Sequence, residues 1–127
     1  MPPIPETHPH PNPHPPLPLR SVDFLVLLML APGDRHGYGI MQDVEEHTGG
    51  TVLLEAGSLY RTIRRLQDEG WITESARRPA ADRDDERRRY YRLTPIGRRI
   101  VAAEASRLRR LVRLAEAANV LAPDVGA

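Results

Sequence analysis

Arg61, Arg64 and Arg65 lie on one side of a stretch whose other side, Leu59, Ile63 and Leu66, repeats at the i, i+4, i+7 spacing of a buried helical stripe. A guanidinium can fork onto a phosphate or onto the acceptor edge of guanine, and the narrow start of a helix can enter a major groove. Gly57 and Ser58 stand at that start, Tyr60 lies to one side, and Gly70 sits where a left-handed residue would stop the helix. The spacing predicts a DNA recognition helix whose candidate contacts are Ser58, Tyr60, Arg61, Arg64 and Arg65. A solvated arginine face is the plainer reading of this stretch alone, so the surrounding elements must decide.

Other chemistries find less support. Ser58, His47 and Asp43 supply the letters of a hydrolytic triad, but no nucleophile elbow, phosphate loop or HExxH run accompanies them, and no enzymatic activity is expected. His36 reads as a cap or packing residue. The sequence contains no cysteine, which excludes disulfides, thiolate metal sites and cysteine nucleophiles and fits a cytoplasmic protein. His8, His10 and His14 alternate with prolines, whose stiffness does not converge three rings on one ion, so no metal and no cofactor are expected.

The 127 residues make one domain's worth of chain, with a net charge of only +1. Attraction to nucleic acid must therefore come from how charge is distributed. Asp34 to Glu55 is acidic, whereas Arg87 to Arg92 and Arg98 to Arg113 are rich in arginine. The most apolar run, Phe24 to Ala31, is far shorter than the ~20 residues of a membrane span, and no membrane association is expected.

Residues 1–18 hold nine of the 13 prolines and read as a disordered tail. Ser21 is the expected N-cap of a first helix running to about Ala31, apolar all round, with Leu27 and Leu28 on the side that a partner subunit would cover. A second helix over His36 to His47 ends at Gly49-Gly50, and Val52 to Leu54 reads as a short strand. Two helices in this order, with the arginine-bearing one second, form a helix-turn-helix. Trp71 to Arg77 and Arg88 to Thr94 then read as a β-hairpin, a wing whose candidate contacts are Arg87, Arg88 and Arg89. Trp71, Tyr91 and Leu93 read as core and hairpin packing. Thr94-Pro95 opens a last helix to about Leu121, whose seam includes Leu108, Leu111, Leu114, Ala115, Ala118 and Leu121. A helix about 40 Å long exceeds what its own small domain can cover, so the seam predicts a homodimer.

His36-Gly37-Tyr38-Gly39-Ile40, the run Gly57 through Ile72, and Arg88 through Arg99 resemble, in order and spacing, the recurring segments of the PadR-like bacterial transcriptional regulators. The resemblance covers roughly residues 19–121 and is closest to the small subclass with a single C-terminal helix. It implies a winged helix-turn-helix homodimer that binds a pseudo-palindromic operator in double-stranded DNA, usually as a repressor released by a small molecule. It also implies that Ser58, Tyr60, Arg61 and Arg64 face DNA, that Tyr38 approaches a phosphate, and that Arg88 and Arg89 lie on the wing. Three features depart from the family pattern: the proline-histidine tail, the acidic wing tip from Asp82 to Glu86, and Trp71 where an aliphatic residue is common.

The expected fold is mostly α with a small β-hairpin (α+β). Its divisions are a tail over 1–18, a winged helix-turn-helix over 19–94, a dimerisation helix over 95–121 and a short tail over 122–127. A winged-helix module that binds protein instead of DNA is the alternative, left open by the near-neutral charge and the acidic second helix. A flat apolar or aromatic effector would fit between the first and last helices of a dimer.

Overall fold

The computed structural model describes residues 16–75 and 89–122. The elements among them are α1 (Ser21–Leu30), β1 (Arg35–His36), α2 (Gly37–His47), α3 (Ala56–Asp68), β2 (Ile72–Glu74), β3 (Tyr90–Leu93) and α4 (Pro95–Ala117). The sheet is antiparallel in the order β1-β3-β2, with Ile72 opposite Leu93, Glu74 opposite Tyr91, and His36 opposite Tyr90. This is an α+β winged helix-turn-helix with a long final helix.

Each helix contributes one stripe to a single core: Val26, Leu27 and Leu30 from α1, Ile40 and Val44 from α2, Leu59, Ile63 and Leu66 from α3, and Ile100 and Val101 from α4. Trp71, Ile72 and Tyr91 close it from the hairpin side, as packing residues. Each such side chain contributes about 1.5–3 kcal/mol on burial, so the stripes determine which face of α3 remains outside. Helix α1 packs against α2, α3 and α4 within one chain. Leu27 is accordingly 0% exposed, and its expected place at a subunit interface is corrected: the monomer covers it.

Local chemistry sets the ends. Gly70, at φ +81°, closes α3, with its N–H on the Gln67 carbonyl (2.9 Å) and the Trp71 N–H on the Leu66 carbonyl (3.0 Å). The Thr94 hydroxyl caps α4 by accepting the Gly97 N–H (3.0 Å) and donates to the Gly70 carbonyl (2.6 Å), which joins the end of α3 to the start of α4. A side chain at Gly97 would meet the Trp71 carbonyl oxygen at 1.9 Å, so only glycine allows this approach.

Four expectations about boundaries are corrected. Arg20, not Ser21, is the N-cap of α1, and it makes no side-chain cap. Val52 to Leu54 form no strand: they pair with none of the strands, and the Val52 N–H is taken by the Thr48 hydroxyl (3.2 Å); the third strand is instead β1. The described strands β2 and β3 are shorter than the expected runs. Helix α4 stops at Ala117, since Asn119 adopts φ 63° and the Val120 N–H turns back to the Ala115 carbonyl (3.0 Å), leaving Ala118 as the C-cap and Leu121 beyond the helix. Residues 1–15, the wing tip over 76–88 with Arg87 and Arg88, and 123–127 lie outside the described residues.

Candidate nucleic-acid interface

Burial of Leu59, Thr62, Ile63 and Leu66 turns Arg61 and Arg64 outward, and both are exposed. Ser58 lies one turn before Arg61 and accepts from its Nη2 (3.3 Å), so the start of α3 presents a hydroxyl beside a guanidinium. Tyr38, half exposed, projects from the first turn of α2. That turn is held by His36, whose Nδ1 accepts the Gly39 N–H (2.8 Å) and whose ring meets Tyr90 edge-on with centroids 5.4 Å apart. His36 is thus a cap, as its position before the helix suggested.

Arg65 and Tyr60 are placed differently from expectation. The Arg65 Nη2 donates to the Asp23 carboxylate on α1 at 2.5 Å, and this arginine is drawn toward the core edge. The cause is a buried acid: Asp23 is 7% exposed and is the one charged residue of α1, and a buried carboxylate is costly without a cation. Tyr60 packs against the core with its ring over Gly37, where a side chain would come within 2.4 Å of its hydroxyl oxygen. Neither placement leaves the side chain standing outward like Arg61 and Arg64.

The acid-rich second helix is partly neutralised. Arg35 grips Asp43 through Nε and Nη2, both at 2.8 Å, and also reaches the Gly39 carbonyl (3.4 Å). The hydrogen bond that Arg35 donates to Asp43 raises the pKa of its guanidinium above the ordinary value, against the opposing effect of desolvation. One negative charge of α2 is thereby offset, while Glu45 and Glu46 remain exposed. Asp43 and Ser58, two letters of the supposed triad, are engaged by Arg35 and Arg61 respectively.

On the wing, Arg89 is exposed, and so is Arg92 on β3, opposite in direction to buried Tyr91. Strand alternation could have singled out Arg92. Arg20 was also missed. It lines, with Ser58, Arg61 and Glu55, an open groove of about 810 Å³ between the start of α1, the 52–55 loop and α3. Its signal in the sequence is a cation at a helix N-terminus, where the helix dipole disfavours positive charge.

On α4, Leu111 and Leu114 are 47% and 65% exposed, Val112 is exposed too, and Leu108 and Ala115 are half-buried; Leu121, beyond the helix, is also exposed. Leu28 on α1 is exposed as well. Among the described residues no helix is long and apolar enough to cross a membrane.

An exposed arginine pair on the second helix of a helix-turn-helix, backed by an antiparallel hairpin, coincides with a sequence match over residues 26–103 to the transcriptional regulator PadR-like family. The chain belongs to that family. A protein encoded in a transposon of Streptomyces fradiae is 37% identical over 91 residues, which are 72% of this chain and 24% of that protein. Protein X of Lysinibacillus sphaericus is 27% identical over 77 residues, 61% of this chain and 68% of that protein. This PadR-like chain thus spans about a quarter of the length of the transposon protein.

Among solved structures, a transcriptional regulator from Clostridium thermocellum has a TM-score of 0.62 at 24% identity over 80% of this chain and 90% of its own. A PadR family regulator from Clostridium difficile gives 0.62 at 23% identity over 75% and 94%. Bacillus subtilis PadR, solved in complex with operator DNA, gives 0.56 at 26% identity over 66% of this chain and 46% of its own. The PadR-like winged-helix fold is shared with all three.

Proposed function

We propose that this PadR-like chain is a sequence-specific, double-stranded-DNA-binding transcriptional repressor that acts in the cytoplasm as a homodimer on a pseudo-palindromic operator. The observation that carries the reading is the outward pair Arg61 and Arg64 beside Ser58 on α3, with Tyr38 on the preceding helix and Arg89 and Arg92 on the wing side. In this reading α3 reads base edges, Tyr38 and the wing arginines hold the sugar-phosphate backbone, and no reaction is catalysed. The likeness to Bacillus subtilis PadR, whose structure contains operator DNA, supports the same assignment.

The exposed leucines of α4 support the homodimer, because an apolar helix face of this length needs a cover and a second copy supplies a matching one. A small apolar or aromatic effector between α1 and α4 of the two copies would release the repressor by changing the separation of the two α3 helices.

Salt dependence tests the reading. Fluorescence anisotropy with a duplex enriched from a random pool should show affinity falling steeply as salt rises, because each neutralised phosphate releases counterions. Binding indifferent to salt would instead favour a winged-helix module whose partner is protein.

A further inference from the structure

The segment that leads into α1 and the first turn of that helix are each pinned to another helix. On one side, Glu104 of α4, only 2% exposed, accepts the Leu19 N–H at 3.1 Å and is itself gripped by Arg107 at 2.6 and 3.0 Å. On the other side, Asp23 in the first turn of α1 holds Arg65 of α3. Both acids are buried, and both accept from a group distant in sequence.

A buried ion pair is a weak source of stability compared with well-packed apolar side chains of the same volume. What it does supply is geometry, since a carboxylate accepts along few directions and loses its partner if either helix turns. Arg65 is one helical turn beyond Arg61 on α3 and borders the same groove. A rotation of α3 that broke the Asp23 contact would carry Arg61 and Arg64 with it.

We infer that Asp23 and Glu104 are positioning residues for DNA recognition: Glu104 fixes the start of α1 on α4, Asp23 fixes α3 on α1, and together they set the angle at which Arg61 and Arg64 meet a duplex. The inference rests on the DNA-binding reading above. It assigns neither acid a contact with DNA, and it makes residues 19–23 the mechanical link between the helix offered for dimerisation and the helix offered for recognition.

The test uses the full chain and two duplexes of equal length, one enriched from a random pool by the wild-type protein and one with its sequence scrambled. The quantity read is the ratio of the two affinities. Loss of folded protein lowers both affinities alike and leaves the ratio unchanged, so a merely structural role would not move it. The variants are Asp23→Asn, Glu104→Gln and the pair, each checked for helical circular dichroism at the assay temperature.

Asp23→Asn should reduce the ratio roughly tenfold, within the usual range of coupling between sites. Glu104→Gln should reduce it by less, and the pair should be no worse than Asp23→Asn alone, because the two contacts act in series. Folded single variants with an unchanged ratio, or effects that simply add, would overturn the inference. Should Asp23→Asn not fold, Asp23→Glu, which keeps the charge but displaces the carboxylate by one methylene, is read by the same criteria. A wild-type protein with no preference between the duplexes would instead contradict the DNA-binding reading itself, which keeps the two failures distinct.

Discussion

Arg64 and Arg65 are neighbours with the same side chain and opposite assignments. The period of the helix places both on the polar side, but Asp23, 42 residues away, draws Arg65 to α1 and leaves Arg64 to solvent. Helical spacing records which residues share a face and carries no trace of a distant acid, so the sequence separated buried from polar positions without separating structural from free arginines. Tyr60 shows the same limit, since its inward turn depends on the space left by Gly37 in another helix. At this scale the expectation is direct. Arg64→Ala should cost about 1–3 kcal/mol in affinity for the enriched duplex if the guanidinium reads a base, or lower the salt slope by about one if it holds a phosphate. Anisotropy titrations at several salt concentrations distinguish these outcomes, and an unchanged affinity and slope would remove Arg64 from the interface.

Among the elements, α2 and α3 were legible almost to the residue because each has a stripe on one face and a glycine stop: Gly49-Gly50 after α2 and Gly70 after α3. β1 was not legible, since two residues carry no alternation and exist as a strand only by pairing with β3. The end of α4 was overestimated, because a left-handed Asn119 is a weaker sequence signal than glycine. The hold of α4 on α1 has a pH signature. The hydrogen bond from Arg107, helped by the Leu19 N–H and opposed by burial, holds the Glu104 carboxyl below its ordinary value of 4.5. A depressed folded value means that the contact stabilises fully above that ordinary value and is lost as pH falls through the folded one. Urea unfolding of wild type and Glu104→Gln should therefore differ at neutral pH and converge in acid. A difference that persists unchanged into acid would contradict the assigned cause.

For the whole molecule, the proposed operator reading asks for two copies. A single α3 reaches only a few base pairs, whereas two related by a twofold axis would read half-sites about one helical turn apart. The outer half of α4, from Leu108 onward, carries the exposed apolar side chains proposed to form that pairing. Removing residues 108–127 should convert a dimer into a monomer in sedimentation velocity, and a truncated chain that still sediments as a dimer would remove α4 from the interface. The most direct test of the central claim is methylation protection of guanine N7 on the enriched duplex bound to the full chain. The account predicts two protected major-groove tracts, related by a pseudo-twofold axis and centred about 10 base pairs or a multiple of that apart, with both protections weakened in Arg64→Ala. A single tract, or binding that leaves every N7 open to methylation, would contradict it.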